Sequence, residues 1–446
     1  MKTGAITYSS KTLSGHRLDA SFHLSDGLGI RKIIKKSPYG YSYIEDVTSS
    51  IYCPGIFRRN YTSSGVPFLG GGDIQKADCD SGKYLRKRTT PNHAILEIKK
   101  GWTLVTCGGT IGDTVFANNL LSKCWISQHV MRVIPATIKE GMLFAYLASK
   151  QGHLLLTTNT YGSVIPTLNA SNIASLPIPN FPESFQKEVD DLIQESAKLR
   201  EEAAEALEEA KRHIEELFPK IQTERFGLVS YSEIFSSLGK RFEASFHQSS
   251  GKEYDEYIKE HFQWKSLSEM ASVSRPDLFK RNYVKNGLMF LGGRDIFLST
   301  PKSDKFVSKT KTPDISSLVI SEGTLLMPRS GTIGEVAIAT SQHAQKLASE
   351  DVIRISADNI LRAGYLYAFL SSSIGKALIQ RYIFGSVIQH VEPHQLNHIP
   401  VPILDEERMK AISDLAISNK DKLGKASELE NKAISMVEQE IEKWNN

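Results

Sequence analysis

The chain has 446 residues, 40% of them apolar and 23% charged, with a formal net charge of +4. That length accommodates two or three domains with proper cores, and that composition excludes a disordered or collagen-like chain. The first residues lack the apolar core of a signal peptide, and no apolar run approaches the roughly 20 residues that span a bilayer, so the chain reads as cytoplasmic with no membrane partner.

In chain order the sequence predicts a lobe (1–182), a long helix (183–220), a second lobe (221–404) and a second long helix (405–446). In the first lobe Thr103–Val105, Thr114–Ala117 and Val130–Ile134 read as short strands between glycine turns, and Gly141–Leu156 has helix-spaced apolar residues. Short strands with a few helices predict an α+β fold. From Phe185 to Leu217 the residues Val189, Leu192, Ser196, Leu199, Ala203, Ala206, Ala210 and Ile214 recur at alternating steps of mostly four and three. That is the stripe of a helix that packs on another helix, and Pro219 ends it. Ile412, Ala416, Leu423, Ala426, Ala433, Val437, Ile441 and Trp444 form a matching stripe on the last helix, which Gly424 is expected to interrupt.

The lobes are copies of one another. RLDASFH at Arg17–His23 answers RFEASFH at Arg241–His247. Ile56–Ile74 answers Leu278–Ile296, and GTIGDTVFA at Gly109–Ala117 answers GTIGEVAIA at Gly331–Ala339, both 222 residues on. GSVI recurs at Gly162–Ile165 and Gly385–Ile388, ahead of LPIP at Leu176–Pro179 and IPVP at Ile399–Pro402. Gln75–Lys100 and Phe297–Glu322 have equal length but little identity, as expected either of two readers of different targets or of surface drift.

Charge divides along the same boundaries. Glu183 to Glu216 carries 12 acids against 5 bases, and Asp405 to Asn446 carries 10 against 7, which leaves +14 on the rest. Basic lobes joined by acidic helices suit lobes that meet a polyanion. Cys53, Cys79, Cys107 and Cys124 show no CxxC spacing, and the second copy has Arg275, Pro301, Arg329 and Lys346 in their places. They read as buried or incidental thiols, since an essential zinc site or disulfide would persist in the twin lobe.

FRRNY at Phe57–Tyr61 and FKRNY at Phe279–Tyr283 each combine two cations, an amide and a ring. Arg58, Arg59, Asn60 and Tyr61, with Lys280, Arg281, Asn282 and Tyr283, are therefore candidates for positioning phosphate, because the cluster is common to both copies. The divergent segments supply candidates for choosing bases: Arg86, Lys87, Arg88 and Asn92 in the first lobe, and Lys302, Lys305, Lys309 and Lys311 in the second. Arg294, which replaces the last glycine of FxGxG in the second copy, and Arg329, which opens RSGTIG, complete the set. FxGxG at Phe68–Gly72 has no NPPY-like partner for methyl transfer, and Pro393 disrupts the spacing of His390, His394 and His398, so neither a methyltransferase site nor a metal site is expected. No catalytic constellation is expected in the chain.

Through the repeated R-[LF]-[DE]-A-S-F, through RSGTIG, and through GSVI followed by LPIP or IPVP and a long helix ending HIEELFPK, the chain resembles the specificity subunit of type I restriction-modification systems. The resemblance implies two repeated target-recognition domains joined by two long antiparallel helices that form a coiled coil. It implies double-stranded DNA as ligand, each lobe reading half of a bipartite asymmetric target. Two methyltransferase subunits would dock on the helices and carry S-adenosylmethionine for adenine-N6 methylation, and restriction subunits would use ATP and Mg. This chain would hold no cofactor, metal or chemistry of its own. The usual carboxylate-glutamine signature at the start of the helix is replaced here by Glu183-Ser-Phe-Gln186 and Asp405-Glu-Glu-Arg408. The alternatives are a DNA-recognition subunit of another phage-defence complex, or a coiled-coil scaffold that never touches DNA.

Overall fold

The structure is a computed structural model that describes residues 25–158, 167–221, 227–312 and 314–445. Arg17–His23 and the first GSVI lie outside the described residues. The chain forms two compact units, Met1–Glu201 with Lys425–Asn446, and Glu202–Gly424. Both mix helix with sheet.

In the first unit the strands β1 (Thr48–Tyr52), β2 (Val66–Leu69), β3 (Tyr84–Leu85), β4 (Thr103–Thr106), β5 (Thr114–Phe116), β6 (Trp125–Ile126) and β7 (Val130–Pro135) make two sheets. One is antiparallel in the order β1-β7-β4-β5; the other runs β3-β2-β6, with β2 and β6 parallel. β4 is buried on both faces. Its period of two sends Val105 into a core with Met131, Val133 and Phe144, and Leu104 into a second core with Leu69, Ile126 and Val130. Each such side chain contributes about 1.5–3 kcal/mol by leaving water. The four-stranded sheet is thus a wall between helices and the smaller sheet.

The helix expected over Gly141–Leu156 is two, α1 (Glu140–Ala148) and α2 (Lys150–Thr158). Ser149 is extended at ψ 158°, and its Oγ accepts from Gly152 N at 3.1 Å. A Cβ on Gly152 would lie 2.0 Å from the Tyr146 carbonyl oxygen, so this corner depends on glycine.

α3 (Glu183–Glu215) enters the first unit with its leading half. There Val189, Ile193 and Ala197 share a core with Ala433, Val437 and Ile441 from the trailing part of the last helix. Ser196 Oγ donates to the Ala426 carbonyl at 2.7 Å, and Arg200 pairs with Glu430 at 2.6 Å.

The second unit has the strands β8 (Ser272–Ser274), β9 (Tyr283–Val284), β10 (Leu288–Leu291), β11 (Phe306–Val307), β12 (Leu325–Pro328), β13 (Ala337–Ile338), β14 (Leu347–Ala348) and β15 (Val352–Ser356). Its two larger sheets run β8-β15-β12-β13 and β9-β11-β10-β14, the last pair parallel. α4 (Ile360–Ser371) and α5 (Ser373–Arg381) meet at Ser372, whose Oγ accepts from Gly375 N at 3.2 Å. The remainder of α3 contributes Ala210 and Ile214 to a core with Ile412 and Ala416 of α6 (Glu406–Glu442). Asn419 Nδ2 donates to the Ala203 carbonyl at 2.8 Å. α6 runs through Gly424, so the expected interruption is absent.

Candidate nucleic-acid interface

Two buried arginines frame the lobes from inside. Arg132, on β7, is fully buried and donates to the carbonyls of Ser127 (2.9 Å), Val130 (2.6 Å), Leu96 (3.3 Å) and Ile126 (2.5 Å). Arg354, on β15, donates to Leu318 and Ala348, both at 3.1 Å. Burial pushes each guanidinium down to about 10. Each joins the two larger sheets of its unit and holds the end of the divergent segment, at Leu96 or Leu318, against them.

On that frame, residues 54–61 leave β1 and pass beside residues 86–96. Gly55, Ile56, Phe57, Arg58 and Asn60 face Thr89, Pro91, Asn92, Ile95 and Leu96 across a hollow of about 500 Å³. Arg58, Asn60 and Asn92, chosen from different parts of the sequence, thus line one concavity. Asn92 has φ 53°, a left-handed conformation that asparagine tolerates. Lys87 and Arg88 are exposed in a 3₁₀ turn over Lys87–Thr89. Arg86 reaches back to Ser64, with Nη2 donating to its Oγ at 3.2 Å.

The second arginine of each cluster is engaged within the protein. Arg59 lies over the Phe57 and Phe68 rings and donates to Gln128 Oε1 at 2.8 Å. Arg281 lies over Phe290 and pairs with Glu350 at 2.5 Å. Tyr61 and Tyr283 remain half exposed against Phe68 and Phe290. Asn282 Nδ2 donates to the Lys311 carbonyl at 2.7 Å and so links its cluster to the divergent segment, as Thr62 N does to the Tyr84 carbonyl at 3.0 Å in the first unit. Lys280, Arg294, Lys302, Lys305, Lys309 and Lys311 all lie on the surface. Arg329 instead pairs with Glu392 at 2.8 Å and Asp351 at 3.2 Å.

Sequence reasoning passed over Ile56 and Leu278, which are 94% and 83% exposed at matching places beside the cation clusters. A large aliphatic residue repeated next to FRRNY and FKRNY was the available signal. The glycine turns have a structural explanation: Gly109, Gly112, Gly331 and Gly334 take φ between 83° and 97°. Gly112 N bonds the Thr106 carbonyl at 2.9 Å and closes the β4–β5 connection. Among the described residues no group of three or more His, Cys, Asp or Glu side chains could hold a metal ion, and no helix is long and apolar enough to cross a membrane.

The hollow that Arg58, Asn60 and Asn92 line thus lies in a mixed helix-and-sheet lobe. Residues 44–198 match the family described as the type I restriction modification DNA specificity domain. The chain is accordingly similar to the specificity subunits of those systems, the resemblance already carried by its motifs. No curated protein matches it. Among solved structures it is similar to the type I restriction-modification S subunit from M. genitalium, with 12% identity, a TM-score of 0.34, and coverage of 91% of this chain and 95% of that one. It is also similar to the HsdS subunit from Thermoanaerobacter tengcongensis, with 14% identity, a TM-score of 0.28, and coverage of 91% and 99%.

Proposed function

We propose that the chain is the DNA-specificity subunit of a type I restriction-modification complex. Each lobe reads one half of a bipartite, asymmetric duplex target, and the two long helices form an antiparallel coiled coil that spaces the lobes and docks two methyltransferase subunits. The lobes are 1–182 and 221–404, and the spacers are 183–220 and 405–446. The observation that carries the reading is the family match over 44–198, within which the FRRNY cluster and the divergent segment face one hollow.

In this reading the exposed cations neutralise phosphates, which supplies affinity and makes binding weaken as salt rises. Arg58 and Asn60 position phosphate at the hollow, and Asn92, which lines it from the divergent segment, offers an amide to base edges, chemistry that suits adenine. Arg59, Arg281 and Arg329 act indirectly, by holding the loops that present their neighbours. A helix of 33 residues is roughly 50 Å long, enough to set two readers more than one DNA turn (about 34–36 Å) apart. Methyl transfer, with its S-adenosylmethionine, belongs to the partner subunits, and so does any ATP-driven cleavage. The assembly works in the cytoplasm as a phage defence.

The test is to express the chain with its methyltransferase partner and map methylated adenines across a genome. The expected result is a split asymmetric motif. Exchanging residues 1–182 for a relative's lobe should change one half of it and spare the other. Random adenine methylation, or a change in both halves, would refute independent reading.

A further inference from the structure

The four cysteines are not scattered in space. Cys53 directly follows β1 and Cys107 directly follows β4, at one end of the sheet β1-β7-β4-β5. Their sulfurs are 3.3 Å apart. A disulfide needs about 2.05 Å, so closure requires a shift of little more than 1 Å. Cys79 and Cys124 interact in the same unit as a second pair.

The second unit shows what joining these two strand ends does. Arg275 and Arg329 stand where the first unit has Cys53 and Cys107. Both bind one carboxylate, with Arg275 Nε and Arg329 Nε at 3.1 and 2.8 Å from Glu392. That ionic clamp ties the root of the 276–283 loop to the turn after β12. In the first unit the same two backbone positions face each other through a pair of thiols.

We infer that Cys53 and Cys107 are an oxidation-sensitive dithiol, the conditional counterpart of the Arg275–Glu392–Arg329 clamp, and that a hydroperoxide closes it to a disulfide. The geometry assigns the roles. Cys53 Sγ donates to the carbonyls of Gln128 (2.9 Å) and Val130 (3.2 Å), which hold its proton. The Cys107 sulfur lies 3.3 Å from that of Cys53 and near the Arg132 guanidinium, and these two neighbours lower its thiol against the opposing push of burial. The Cys107 thiolate attacks one peroxide oxygen; the O–O bond breaks, and hydroxide leaves and takes up a proton as water. The Cys107 sulfenic acid that results is attacked by the Cys53 sulfur. The S–O bond breaks, hydroxide takes the Cys53 proton, and a second water departs. Two thiols lose two electrons in total and one peroxide gains them. Cys107 is only 6% exposed, which admits peroxide more readily than a bulky disulfide reagent.

The bond would fasten the root of the Gly55–Tyr61 loop, so its effect on DNA reading rests on the function proposed above, whereas its formation does not. The test uses the full purified chain, without DNA, treated with hydrogen peroxide and mapped by peptide mass spectrometry under non-reducing conditions. The expected product is a Cys53–Cys107 linked peptide pair two hydrogens lighter than its reduced parts, reversed by a thiol reductant. Hydrogen exchange across residues 54–61 should slow at least several-fold in the oxidised form. In C53S, Cys107 should instead accumulate as a sulfenic acid captured by a dione probe, while a C79S/C124S double variant should still form the bond. Separate over-oxidation of the two cysteines in wild type, or a linked pair with unchanged exchange over 54–61, would overturn the inference. A bond that forms and slows exchange in a chain that directs no methylation would refute the proposed function and leave the dithiol standing.

Discussion

Replacing Arg132 by methionine should damage the first unit more than the matching change, Arg354→Met, damages the second. Methionine keeps most of the buried length but offers no donor. The loss leaves the carbonyls of Ser127, Val130, Leu96 and Ile126 without the guanidinium. At about 1 kcal/mol for each hydrogen bond lost, Arg132→Met costs about 4 kcal/mol. Arg354 has two such acceptors in Leu318 and Ala348, and its loss costs about 2 kcal/mol. Relief of the desolvated charge offsets part of both costs. In a domain of this size 1 kcal/mol moves Tm by about 2–4 °C, so the shifts are roughly 8–16 °C and 4–8 °C. Thermal unfolding followed by circular dichroism, with hydrogen exchange to assign each transition to its unit, measures them. Equal shifts, or an Arg132→Met shift under about 2 °C, would show that the guanidinium fills space and does not organise the sheets.

His343 makes the second unit acid-sensitive. It is almost fully buried, its Nε2–H donates to the Ile296 carbonyl at 3.0 Å, and Nδ1 accepts from Thr340 N at 3.1 Å, so it folds neutral. Burial pushes it down from 6.5 to about 4, and the unfolded chain therefore binds the proton first. Its contribution is complete above about pH 6.5 and is lost as pH falls towards about 4. Urea unfolding across that window should show a flatter pH dependence for His343→Gln; an unchanged slope would contradict the assignment. Gly424→Ala should stabilise the second unit by about 0.5–1 kcal/mol through helix propensity. Its new Cβ would meet the Ser341 hydroxyl at 3.0 Å, a small group on an exposed residue that can turn away. A lower Tm would mean that the turn at Thr340–Ser341 cannot give.

Much of this arrangement was legible in the sequence because it depends on local periodicity. The strands at residues 103, 114 and 130 appeared within a residue or so of their expected bounds. Val189, Ala203, Ala210 and Ile214 are buried as the stripe implied, but Ile193 and Ala197 are buried too. The reason is a second contact: Gly141 in α1 approaches so closely that a Cβ there would lie 2.8 Å from Ile193 Cβ. A helix packed on two sides buries a wider band than one heptad seam. The break at Ser149 was missed because a serine that caps a new helix resembles any polar residue on a helix face. At the candidate interface, charge and the repeat singled out the cation clusters, but not which of their cations are engaged within the protein. Arg59 and Arg58 are adjacent and chemically identical. What separates them is Gln128, far along the chain, with the Phe57 and Phe68 rings under Arg59.

The make-up of the first unit also bears on how the protein is synthesised. Val189, Ile193 and Ala197 share their core with Ala433, Val437 and Ile441. Those later residues reach the growing chain only after the whole of Glu202–Gly424 has been translated. At about 5–20 residues per second, that is a wait of roughly 10–45 s. Throughout it, one apolar face of α3 stands without its cover beside a lobe that is otherwise ready to fold.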